Sequence, residues 1–171
     1  MVTLGNCVHT RTLVLPRLAD LFKKQSYPGA ANTVPGQQWG PLTVSAGAFE
    51  SLEKRIFEAY LEAKSDPLVG TIEPSMYLGH FDWGEPFPMP TDVRPYAKEA
   101  IGNMIGVHAE VHRVSPSLVQ RVLSQITETV AEELARLLLC VSHFSKEGGL
   151  QARADVRAVQ EALGPYVSLT A

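Results

Sequence analysis

A chain of 171 residues, 45% apolar and 19% charged, has room for one domain or a short stack of helical bundles, and its composition is globular rather than disordered. A net charge of −3 and a pI near 5.9 leave no basic footprint for nucleic acid or an anionic membrane. The longest apolar run, residues 137–141, is far too short to cross a bilayer, and residues 1–6 lack the charged start and apolar run of a signal peptide.

The first helical pattern covers residues 8–24, with Val8, Leu15, Leu18 and Phe22 on one side and Pro16 as a kink or a new start. Residues 30–41 read as an irregular loop rich in proline, glycine and glutamine around Trp39. A second helix is expected over 44–64, where Phe49, Leu52, Ile56, Tyr60 and Ala63 recur at three and four, and Glu50, Glu53, Lys54, Arg55 and Glu58 fill the polar positions. Asp66-Pro67 is its predicted stop. Residues 67–91 carry five prolines together with Tyr77, Phe81, Trp83 and Phe87, which predicts an ordered, packed connector with one helical turn near 73–77.

A third helix is predicted over 92–113, capped by Asp92, with Pro95 in its first turn. Ala97, Ile101, Met104, His108 and Val111 form its apolar face, and Gly102 and Gly106 on the far side predict the close approach of another helix. The fourth and longest helix is expected over 115–144, opened by a capping Ser115 and Pro116. Val119, Val122, Ile126, Val130, Leu134, Leu137, Val141 and Phe144 keep within roughly 60° of one line along it. Arg121, Gln125, Glu128, Glu132 and Arg136 take the opposite face, and so does Leu139, which marks it as a partner-facing residue. Gly148-Gly149 is the predicted stop. A fifth helix over 150–163 turns Ala152, Val156, Val159 and Leu163 inward. With no strand-like alternation anywhere, the expected class is all-α: about five antiparallel helices in one helical-bundle region over 1–171.

Candidate chemistry is sparse. His108 and His112 lie four apart on one helical face, as a zinc pair would, which raises a metal-dependent hydrolase as one alternative. Glu110, however, follows two residues after His108 and points about 200° away, where it cannot serve metal-bound water. Ser51 and Lys54 match the S-x-x-K spacing without its companion motifs. Cys140 borders the apolar stripe and reads as a small buried hydrophobe; with Cys7 so distant, both are expected as free thiols in a reducing cytosol. No phosphate-cradling loop occurs. No catalytic, cofactor-binding or metal-binding residue is therefore assigned.

Several long runs carry a resemblance. Residues 55–70 (RIFEAYLEAKSDPLVG), 79–83 (GHFDW), 107–111 (VHAEV) and the stretch from 122 to 153 resemble the C-terminal part of the exocyst complex component two family. The likeness extends from about residue 6 to 166 and fits poorly over 30–48. It implies a non-catalytic subunit, a rod of stacked helical bundles, that tethers secretory vesicles to the plasma membrane by packing against other exocyst subunits. Such a protein would be cytoplasmic and peripheral at exocytic sites, without direct membrane insertion and without nucleic acid. Family members are several times longer, so this chain is expected to be part of a longer rod. Their Ral-binding domain lies near the N-terminus and has no counterpart here, so Ral binding is not expected. A stand-alone helical adaptor or regulatory fragment is the other alternative.

Overall fold

The computed structural model describes residues 1–25 and 40–166. The loop expected over 30–41 falls almost wholly outside those residues. What is described is all-α, with no strand among the described residues, and its helices gather into five main stretches. Contacts divide the chain into two compact units, Met1–Tyr60 and Leu61–Ala171.

In the first unit, helix α1 (Val2–His9) continues through a π turn (Thr10–Val14) into α2 (Leu15–Gln25). Proline has no N–H, and its ring would meet the Thr12 carbonyl in a regular α turn, so the wider turn just before Pro16 lets the helix run on. The helix starts six residues earlier than the periodicity suggests. Leu4 and Cys7 are buried and Val8 and Leu15 half-buried, whereas Leu18 and Phe22, placed inward by the sequence pattern, are exposed. Helix α3 (Gly40–Met76) supplies the remaining described residues of this unit as far as Tyr60. Here the buried row is Glu53 and Phe57, and Leu52 is 42% exposed. Glu53 is inside because Arg11 binds it: Nε and Nη2 both lie 3.0 Å from Oε2. A buried carboxylate is tolerable only with such a partner.

In the second unit α3 does not stop at Asp66-Pro67. It passes through Pro67 and Pro74 to Met76. Both prolines sit on the exposed side, and so do Ala63 and Gly70, whose carbonyls lose their donors and can be solvated instead. The opposite side buries Leu68, Ile72 and Met76. Helix α4 (Pro95–Val114) begins with Pro95 at its first position, but its N-cap is Arg94, and Asp92 lies just outside. It buries Tyr96, Ala97, Ala100, Met104, Val107 and Val111, leaving Ile101 and His108 half-buried. Gly102 and Gly106 face open space: an added Cβ at either meets nothing within 4 Å, so no described helix makes the close approach expected there.

A 3-10 turn (Pro116–Leu118) leads into α5 (Val119–Leu139). Ser115 makes no side-chain cap; its carbonyl accepts from the Leu118 amide at 3.0 Å. The expected stripe is present, with Val122, Ile126, Val130, Leu134 and Leu137 all buried, and each such side chain contributes roughly 1.5–3 kcal/mol by leaving water. The helix ends five residues sooner than anticipated, so Val141 and Phe144 pack from a loop. Helix α6 (Lys146–Leu163) starts earlier than expected, capped by Ser145, whose Oγ accepts from the Gly148 amide at 3.0 Å. Gly148-Gly149 is therefore a first turn and not a stop. A last 3-10 turn spans Gly164–Tyr166. Helices α5 and α6 both pack along α4.

Candidate functional site

Residues 77–94 are held down by an aromatic and polar hub inside the second unit. Chain reversal after α3 uses the left-handed region, with Gly79 at φ 74 and His80 at φ 57. Trp83 is 1% exposed. Phe81, Tyr96 and Phe144 meet its ring edge-to-face at centroid distances of 4.9, 6.4 and 5.8 Å, and Phe87 packs on Phe81 at 5.0 Å. The Arg94 guanidinium lies 3.4 Å above the Phe81 ring centre, a cation–π contact, and its Nη2 donates to the Met76 carbonyl at the C-terminus of α3.

α6 clamps this segment from the other side. The Trp83 carbonyl accepts from the Ser145 amide at 2.9 Å and from its hydroxyl at 3.2 Å. A Cβ at Gly148 would stand 2.2 Å from that same carbonyl oxygen, so only glycine lets α6 come this close. One turn on, Gln151 donates to the Asp92 carbonyl and to Asp155 Oδ1, both at 2.9 Å. Asp155, fully buried, also accepts from the Arg94 amide at 2.9 Å. The inward residues of α6 are thus Gly148, Gln151, Asp155, Val159 and Leu163, while Ala152 and Val156, expected inside, are only half-buried.

Not every polar atom in the hub is satisfied. Trp83 Nε1, Arg94 Nε, the Tyr96 hydroxyl and Asp155 Oδ2 have no hydrogen-bond partner among the described residues. Burial, and then the facing charge of Asp155, push the Tyr96 phenol well above its ordinary pKa of 10. Burial also lowers the pKa of Arg94, with the Asp155 charge acting against it.

The residues singled out for chemistry are not gathered into one site, although two of them are neighbours. His108 and His112 stack on each other at 5.7 Å, and His108 also meets the Tyr166 ring at 5.6 Å. No group of three or more His, Cys, Asp or Glu that could hold a metal occurs among the described residues. Ser51 is exposed, and Lys54 reaches Glu58 at 3.8 Å. Cys140 is exposed rather than buried because α5 has ended and its side chain falls outside the stripe, whereas Cys7 is buried; both are free thiols. Leu139, at 85%, is the most exposed large apolar side chain among the described residues. No described helix is long and apolar enough to cross a membrane.

The described residues are all-helical, and those of the second unit are knitted together by an aromatic hub. The family model of exocyst complex component Sec5 matches residues 1–171, and the chain belongs to that family. It is 42% identical over 168 residues to the human protein named exocyst complex component 2, covering 98% of this chain and 17% of that protein. The mouse and Drosophila melanogaster proteins of the same name are each 40% identical over 168 residues, with 17% and 18% of their lengths covered. The chain therefore spans less than a fifth of the length of these relatives. No solved structure matches.

Proposed function

We propose that these residues form a non-catalytic packing segment of an exocyst subunit, one part of a longer helical rod. In this reading the segment works by helix packing against other exocyst subunits, and so contributes to tethering secretory vesicles at the plasma membrane. It would be cytoplasmic and peripheral at exocytic sites, with no membrane insertion, no nucleic acid and no Ral GTPase binding through these residues. The observation that carries the reading is the match to exocyst complex component Sec5 over residues 1–171. Leu139 supports it as a partner-facing residue, since an apolar side chain 85% exposed at the end of α5 gains by being covered.

The test is affinity purification from cells of the protein tagged at its endogenous locus. Other exocyst subunits should be recovered with it, and recovering none overturns the proposal. Leu139→Asp should leave thermal stability within about 0.5 kcal/mol while lowering that recovery. Full recovery with the variant would remove Leu139 from the interface and leave the family-level reading intact.

A further inference from the structure

Helices α5 and α6 share α4 as a neighbour, and between them opens a groove of about 340 Å³. Leu138 and Phe144 line one side; Gly149, Ala152, Arg153 and Val156 line the other. On α6 the small and apolar positions Gly149, Ala152 and Val156 recur at three and four, so the floor runs along the helix axis as a path for the ridge of another helix. A Cβ added at Gly149 meets nothing within 4 Å, which leaves this end of the path open.

The charged residue lining the groove is Arg153, and it belongs to a row of cations on α6. Lys146, Arg153 and Arg157, at spacings of seven and four, form an exposed row along the flank of α6. Arg157 is engaged by Glu161 at 2.7 Å. Lys146 and Arg153 have no carboxylate partner among the described residues, and no Asp or Glu lines the groove. An apolar floor with a cationic flank is complementary to one kind of helix.

We propose that this groove docks an acidic amphipathic helix of a partner protein. Its apolar ridge lies along Gly149, Ala152 and Val156 against Leu138 and Phe144, and its carboxylates face Lys146 and Arg153. The face is defined by this chain alone, whichever complex the chain joins.

The test uses two fluorescent model helices that share a leucine face, one with glutamate and one with lysine at every polar position. Anisotropy titration of the full chain should show binding of the acidic helix, weakened by salt, and not of the basic one. Reversing the flank (Lys146→Glu with Arg153→Glu, both exposed) should weaken the acidic helix about tenfold or more and admit the basic one. Ala152→Leu, which fills the floor without changing charge, should weaken the acidic helix too. Binding of neither helix, equal binding of both, or unchanged affinity in Ala152→Leu overturns the proposal. So does binding of phosphatidylserine vesicles without either helix, which makes the flank a membrane surface, or self-association of the chain abolished by the flank reversal, which makes the groove a dimer contact. None of these failures alters the recovery of exocyst subunits from cells.

Discussion

Asp155 concentrates much of the second unit's specificity in one side chain. It sits on a helix face that composition would assign to solvent, yet it takes the Arg94 amide and the Gln151 side chain at once. Asp155→Ala removes the acceptor and leaves two donors buried, which should cost about 2–4 kcal/mol. A denaturant midpoint within error of the parent would show that the clamp is dispensable. The phenol beside it titrates in the opposite regime. Above pH 10 the unfolded chain releases a proton that folded Tyr96 still holds, so stability is full below that pH and declines as pH rises toward the raised value. Because the buried hydroxyl has no hydrogen bond among the described residues, Tyr96→Phe should be within about 1 kcal/mol of the parent at pH 7. The same variant should lose less stability than the parent between pH 9 and about 11. Matching alkaline losses in chemical denaturation would remove Tyr96 as the titrating group.

Among the elements, α5 was the most legible from sequence and α6 the least, and the reason is the same physics. Along α5 the inward positions are apolar with the single exception of Thr127, so a 3.6-residue period reads out the buried face directly. Val130, wholly buried at its centre, should not tolerate charge: Val130→Asp is expected to cost about 3–5 kcal/mol, measured by thermal or urea unfolding. In α6 the inward positions include glycine, glutamine and aspartate, whose burial is made tolerable by Trp83, Asp92 and Arg94, residues about sixty positions away. Local periodicity carries no trace of partners that distant, and it selected Ala152 and Val156 instead. In α3 the same blindness hid the Arg11–Glu53 pair, turning the buried face by one residue. Its prolines looked like stops because sequence shows that a donor is missing but not whether the freed carbonyl faces solvent. That the rings of residues 77–94 need cover could be anticipated, but the connector expected over 67–91 begins only after α3 ends at Met76. Its anchoring by the Ser145 cap and by the space at Gly148 could not be anticipated.

At the scale of the whole chain, the family could be read from long runs of residues. The groove between α5 and α6 could not, because it arises from two helices meeting a third and from small side chains that look like helix filler. The two units, Met1–Tyr60 and Leu61–Ala171, carry different thiols, and this has a practical use. Cys140 is exposed and Cys7 is only 5% exposed, and the sequence contains no other cysteine. A maleimide dye at neutral pH should therefore modify Cys140 at once, giving the native sequence a single label at the end of α5, beside Leu139. With that site blocked, the slow second modification becomes a clock for the opening of the first unit. Its rate should rise with urea in step with the loss of Met1–Tyr60 structure, and intact mass spectrometry would count the tags. Two tags added at equal rates in native buffer would place Cys7 at the surface.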